Sequence, residues 1–215
     1  MSPLAVLLAS RGYPTLELAY FGAPGLPREL ERIPLEYFER ALQWLATQRS
    51  VDASRLIVVG GSRGGEAALL LASRYPELIR GVGAYAPSSV VNPSVDGRSP
   101  AWTAGGVPVP HGPDAVIPVE RIAGPVFLVA GGMDELWPSE IYVQVIGDRM
   151  RAHGRGKDVT ALTYPSAGHL VTVAVPYLPA PSISFGFATP AANAAALSDS
   201  WPKLLAFLRR LSATA

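Results

Sequence analysis

The run Leu56-Ile57-Val58-Val59-Gly60-Gly61-Ser62-Arg63-Gly64-Gly65-Glu66-Ala67-Ala68 governs how the rest of the chain is read. An apolar, β-branched stretch leads into Gly60-x-Ser62-x-Gly64, and an Ala/Leu-rich helical stretch follows. A sharp strand-to-helix turn of this kind strains the central residue and pushes its hydroxyl outward. The flanking glycines let neighbouring backbone pass without Cβ clashes. The helix start brings main-chain N–H groups and a positive dipole end to Ser62, so the Arg63 N–H is the candidate donor to a developing oxyanion. The competing reading is a plain Gly-rich turn capped by a serine. A phosphate loop would need a Gly-Lys-Ser/Thr ending, which is missing. Glu66 reads as a first-turn helix residue favoured by the dipole.

Outward from this run, short apolar strands alternate with helical patterns. Strands are expected at Thr15–Phe21, Leu56–Gly60, Gly81–Ala86, Val126–Ala130 and Val159–Tyr164. Most are continuous apolar runs, as buried parallel strands are, while Leu16, Leu18 and Tyr20 alternate with polar or small residues, as nearer a sheet edge. Helices are expected at Leu35–Gln48, Gly64–Tyr75, Pro138–His153 and Asp199–Leu211, with Pro202 near the first turn of the last. Strand–helix alternation with short connections predicts an α/β fold with a mainly parallel sheet covered on both faces. Pro87–Pro118 and Val171–Ala192 break the rhythm and read as long irregular insertions bordering a site.

The chain has 215 residues, 49% of them hydrophobic and 16% charged, with a net charge of +1. That suits one domain over residues 1–215 with a sizeable core. Of 18 basic residues only Lys157 and Lys203 are lysines, and no basic run or aromatic-basic interleaving supports nucleic-acid binding. Cysteine is absent, which excludes disulfides, thiolate metal sites and a cysteine nucleophile. The histidines, His111, His153 and His169, are too scattered for a zinc pattern. No apolar run reaches the ~18 residues of a membrane span. The chain therefore reads as soluble and cytoplasmic.

A nucleophilic serine needs a base and an orienting acid. In this design they follow in the order Ser, Asp or Glu, His. His169 follows the last expected strand, in Tyr164-Pro165-Ser166-Ala167-Gly168-His169, and Asp134 follows the one before, in Gly131-Gly132-Met133-Asp134. Loops after parallel strands lie at the ligand-binding edge of a sheet. Asp134 can then accept from the imidazole Nδ1–H, with Glu135 its close competitor. His111 and His153 read as structural or solvated.

Leu8-Ala9-Ser10-Arg11-Gly12-Tyr13 with Leu18-Ala19-Tyr20-Phe21, the Gly60–Glu66 elbow, Trp102-Thr103, Gly131–Asp134, Tyr164–His169, and Asp199-Ser200-Trp201 with Lys203-Leu204-Leu205 occur in a recognisable order. With these pieces the chain resembles the catalytic domain shared by acyl-CoA thioesterases and bile-acid-CoA:amino-acid N-acyltransferases. The resemblance implies an α/β-hydrolase fold and a triad of Ser62, Asp134 and His169 acting on acyl thioesters of coenzyme A. Members that conjugate amino acids typically carry a cysteine nucleophile, so Ser62 favours hydrolysis. Two departures stand out: the N-terminal β-sandwich of the family is not in this sequence, and neither are the strands and glycine-rich loop expected before the first helix of the catalytic domain.

The expectations are therefore these. The chain is a serine hydrolase of acyl thioesters, needing no metal or redox cofactor, with weak activity because of the shortened start. The alternatives are a carboxylesterase- or peptidase-like hydrolase, and a binding module with a vestigial triad. Trp102, Tyr177 and Phe185 are assigned to the wall for an acyl chain. The partner is a small acyl thioester or ester, and a homo-oligomer is left open. With no strand to lie between them, Thr15–Phe21 is expected to pair directly with Leu56–Gly60, giving a five-stranded sheet.

Overall fold

Apolar runs that must be covered on both faces alternate with runs apolar on one side only, and this sets the element order. The computed structural model describes residues 2–176 and 186–213. In chain order the elements are helix α1 (Pro3–Ala9), strand β1 (Ile33–Pro34), α2 (Leu35–Ala46), β2 (Leu56–Gly61), α3 (Arg63–Arg74), β3 (Ile79–Tyr85), β4 (Trp102–Ala104), β5 (Val107–Pro108), β6 (Val126–Gly131), α4 (Ser139–Ala152), β7 (Val159–Tyr164) and α5 (Pro190–Ala213). They fall into two compact units, one of Met1–Leu56 with Val90–Ile117, the other of Ile57–Ser89 with Pro118–Ala215.

The larger unit is built on a four-stranded sheet in the order β2-β3-β6-β7. The pairs β3–β6 and β6–β7 are parallel, with Val82 opposite Val126 and Val126 opposite Val159. The two inner strands read as unbroken apolar runs because both their faces are covered: Val82, Ala84 and Val126 to Ala130 are fully buried. The outer strands β2 and β7 are mostly half-buried. Helix α5 covers one face, where the Phe207 ring lies 5.5 Å from Phe127 and Phe127 lies 6.1 Å from Tyr85. Strand alternation turns Val82, Ala84, Val126 and Leu128 to the opposite face, and α3 packs on β3 while α4 packs on β6 and β7. Arg149 of α4 holds Glu120, on the turn before β6, through two guanidinium contacts of 2.5 and 2.9 Å.

The smaller unit corrects the expected N-terminal strand. Thr15–Phe21 forms no strand, and the sheet containing β2 has four strands, not five. A strand needs a neighbour for its N–H and C=O groups, and the segment is committed to other contacts. Glu17 accepts the Ser2 N–H at 2.6 Å, and the Tyr20 ring sits 5.1 Å from Phe38 and 5.8 Å from Trp102. The unit's own sheet is small, in the order β1-β4-β5. Gly105 and Gly106, both at positive φ, make the two-residue hairpin between β4 and β5. Part of the expected insertion Pro87–Pro118 is thus ordered structure of this unit.

The helices match their sequence patterns, with one correction. Helix α5 includes Asp199–Leu211, as expected, but it begins at Pro190, so Pro202 lies well inside it and not near its first turn. The Ala-rich stretch from Ala191 to Ala196 has enough helix propensity to extend the helix backwards. Among the described residues, no helix is long and apolar enough to cross a membrane.

Candidate active site

Ser62 sits between the end of β2 and the first residue of α3, at φ 53° and ψ −122°. A non-glycine residue there carries ~1–3 kcal/mol of backbone strain and stays only where its surroundings fix it. Two bonds do so. The Ser62 N–H donates to the Tyr85 carbonyl at 2.8 Å, and the Ser62 carbonyl accepts from the Glu66 N–H at 3.0 Å. A Cβ at Gly60 would run into the Gly64 carbonyl, so the tight turn depends on that glycine. Gly61 permits a close approach of a different kind: a Cβ there would lie 2.7 Å from the Thr172 carbonyl oxygen. The turn bearing His169 is thus packed directly against the elbow.

His169 opens a 3₁₀ turn, His169–Val173, reached from β7. Its Nε2 lies 2.8 Å from Ser62 Oγ, and its Nδ1 lies 3.0 and 2.9 Å from the two Asp134 carboxylate oxygens. The side chains of His169 and Asp134 are 6% and 1% exposed, so little water competes for these bonds. Asp134 Oδ1 also accepts from the Leu136 N–H at 3.1 Å. The loops after β6 and β7 are joined backbone to backbone, Gly132 N–H to the Tyr164 carbonyl and Met133 N–H to the Ala167 carbonyl, each 2.9 Å. From α5, the buried Asn193 accepts the Gly168 N–H at 2.7 Å, next to His169. Serine, imidazole and carboxylate so arranged can pass a proton from the hydroxyl to the ring while the carboxylate steadies the imidazolium.

The sequence reasoning brought Ser62, Asp134 and His169 to one place, and the structure joins them. Glu135 does not meet His169. It is exposed, and its carboxylate accepts the Phe187 N–H at 3.0 Å. Arg63 opens α3, with its main-chain N–H in the first turn beside Ser62. Trp102 is fully buried against Phe38 and Tyr20 in the smaller unit and offers no exposed surface to a ligand. Tyr177 and Phe185 lie outside the described residues. Glu66 lies in the first turn of α3, as expected; it is also fully buried, and its carboxylate holds the Arg63 guanidinium at 2.7 Å. Trp137 and Asn193 were not singled out at all. The indole of Trp137 stands against the His169 ring. Among the described residues, no group of three or more His, Asp or Glu side chains is placed to hold a metal.

The profile of the BAAT / acyl-CoA thioester hydrolase C-terminal family matches residues 33–95 and 107–213. The chain belongs to this family. Within it, the sequence is 31% identical over 236 residues to acyl-coenzyme A amino acid N-acyltransferase 1 of Mus musculus, covering 96% of this chain and 55% of that protein. It is 30% identical over 243 residues to the mitochondrial acyl-coenzyme A thioesterase 2 of Mus musculus, covering 96% of this chain and 51% of that protein. The chain thus spans about half the length of the curated relatives it matches. The fold is that of α/β hydrolases. The α/β hydrolase MGS-M1 from a Medee basin deep-sea metagenome library superposes with a TM-score of 0.57 at 16% identity, over 97% of this chain and 74% of that one. Porphyromonas gingivalis dipeptidyl peptidase 4 gives 0.57 at 16% identity, over 82% of this chain and 22% of that one.

Proposed function

We propose that this BAAT/thioesterase-family chain is a serine hydrolase of acyl thioesters, acyl-CoA first among them. The observation that carries the proposal is the unbroken line from Ser62 Oγ through His169 to Asp134, with Ser62 held at the strained elbow. Family members named acyl-coenzyme A thioesterases support the substrate class. In the reaction, His169 Nε2 takes the Ser62 proton as Oγ attacks the thioester carbonyl. The Arg63 N–H and the positive end of α3 stabilise the oxyanion. The intermediate collapses, the thiolate leaves with the proton from His169, and the acyl group remains on Ser62. Water then attacks the acyl-enzyme with His169 as base, and the carboxylic acid and free Ser62 result. Asp134 keeps the Nδ1–H tautomer throughout. Serine at position 62 fits transfer to water.

A panel of acyl-CoA esters of increasing chain length, with thiol release as the readout, tests this directly. Thiol release by the wild type, lost together with fluorophosphonate labelling in Ser62→Ala, is expected. Undiminished turnover in Ser62→Ala would remove Ser62 from the mechanism. Turnover of oxygen esters without thioesters would reassign the leaving group.

A further inference from the structure

Two hydrogen bonds hold the His169 imidazole, one at Nδ1 and one at Nε2. Both act at the ring nitrogens, in the plane of the ring, and neither covers its face. The Nε2 bond is also given up in each cycle, when Ser62 Oγ bonds to carbon. The tether to the backbone and Asp134 then hold the ring, and a contact on its side limits its tilt while it carries the proton to the leaving group.

Trp137, three residues after Asp134, touches Asp134, His169 and the residue that follows β3. Its main-chain N–H faces Asp134 Oδ1 at 3.4 Å. Its ring meets the His169 ring edge to face, with centroids 5.6 Å apart and planes at 72°. Its indole Nε1–H donates to the Ala86 carbonyl at 3.0 Å. Ala86 follows Tyr85, whose carbonyl receives the Ser62 N–H. Ala86 is fully buried at φ +41°, and its own N–H is tied to the Val129 carbonyl at 2.7 Å. The indole therefore joins the end of β3, itself tied to β6 through Ala86, to the side of the imidazole. Its ring also meets the Tyr142 ring, with centroids 6.4 Å apart.

We propose that Trp137 is a positioning residue for His169: its indole, anchored on the Ala86 carbonyl, holds the imidazole plane in line between Asp134 and Ser62. This deepens the hydrolase proposal and rests on it. The ring supplies the contact, and the Nε1–H keeps the ring in place. Losing both has a larger effect than losing the N–H alone.

The test uses Trp137→Leu and Trp137→Phe, with the rate of fluorophosphonate labelling at Ser62 and the kcat and KM for an acyl-CoA that the wild type turns over. Trp137→Leu is expected to slow labelling and kcat by about 10²-fold, the loss typical of ~1 Å misplacement of a reacting group, with KM little changed. Trp137→Phe, which keeps a ring, recovers a large part of that loss. A second arm is independent of activity. His169→Gln must change the tryptophan emission, and that change must vanish when His169→Gln is made on Trp137→Phe. Wild-type labelling and kcat in Trp137→Leu would overturn the proposal, as would emission unaffected by His169→Gln. A wild type inert to the fluorophosphonate that still shows this emission change would overturn the hydrolase proposal and uphold the Trp137–His169 contact.

Discussion

Gly61→Ala measures how firmly the two triad-bearing turns are locked together. A Cβ on Gly61 would lie 2.7 Å from the Thr172 carbonyl oxygen, 2.9 Å from its Cβ and 3.1 Å from its Cα. Carbon atoms rest at about 3.5–4.0 Å, so the Thr172 Cβ is about 0.6–1.1 Å too close. None of these atoms can swing away as the end of a long side chain could. The 3₁₀ turn must back off, and it carries His169 three residues before Thr172. Transmitted in full, that displacement opens the 2.8 Å bond between His169 Nε2 and Ser62 Oγ to about 3.4–3.9 Å, past the ~2.6–3.2 Å reach of a general base. The expected cost is about 10²-fold in the labelling rate of Ser62 and in kcat. Overpacking costs a further ~1–3 kcal/mol of stability, read as a fall of several degrees in Tm. Gly147→Ala is the control. Gly147 lines a cleft of about 380 Å³ between α4 and β7, where its Cβ would meet only Arg151 Nη2, at 3.6 Å. In mid-helix, alanine gains ~0.5–1 kcal/mol over glycine, so Tm should rise with labelling unchanged. Labelling and Tm of Gly61→Ala equal to wild type would refute the reasoning.

Two further outcomes follow from the same structure. Asp134→Asn keeps the shape of the side chain but can offer an N–H where His169 Nδ1–H needs an acceptor, so kcat should fall by up to ~10⁴ with Tm little affected; an unchanged rate would move the orienting role elsewhere. The Arg149 guanidinium bonded to Glu120 holds that carboxyl down to about 2. A depressed carboxylate stabilises above its unfolded value of ~4.3 and loses that stabilisation as pH falls through its folded value. Because the Arg149 side chain is 35% exposed, screening leaves about 1 kcal/mol. Urea unfolding of Arg149→Met should therefore show a deficit at pH 7 that closes between about pH 4 and pH 2, and a pH-independent deficit would contradict it.

The inner strands of the larger sheet were legible because local pattern and tertiary environment agree there. Val126–Ala130 is an unbroken apolar run, and it is fully buried. Thr15–Phe21 is also rich in leucine and aromatic residues, yet it forms no strand, because β propensity describes a fit to a neighbour that the pattern alone cannot supply. The reverse holds for Trp102–Ala104 and Val107–Pro108. These strands are too short to show a period, although Gly105-Gly106 between them was a hairpin signal available in the sequence. The early start of α5 was hidden by Pro202. A proline suggests a first turn, but here it sits well inside a helix whose alanines are strong formers.

At the site, the legible residues were those whose chemistry is announced by a turn. Ser62 needs glycines on both sides, and Asp134 and His169 each end a loop directly after a strand. The residues that hold them give no such signal, since their partners are remote in sequence. Asn193 accepts the N–H of Gly168 across 25 positions, and the Trp137 indole reaches Ala86 across 51. Glu66 was legible as a first-turn residue, but its burial was not. A carboxylate in a helix's first turn is ordinarily solvated and worth a fraction of a kcal/mol to the dipole. Here it is fully buried with the Arg63 guanidinium against it, where removing one partner of such a pair costs ~3–5 kcal/mol. The residue after the nucleophile is thus tied by its side chain to the first turn of α3, while its main-chain N–H remains the donor proposed for the oxyanion. One ion pair fixes the helix start from which that N–H points, so the elbow is held from below by Glu66 as it is held from the side by the His169 turn.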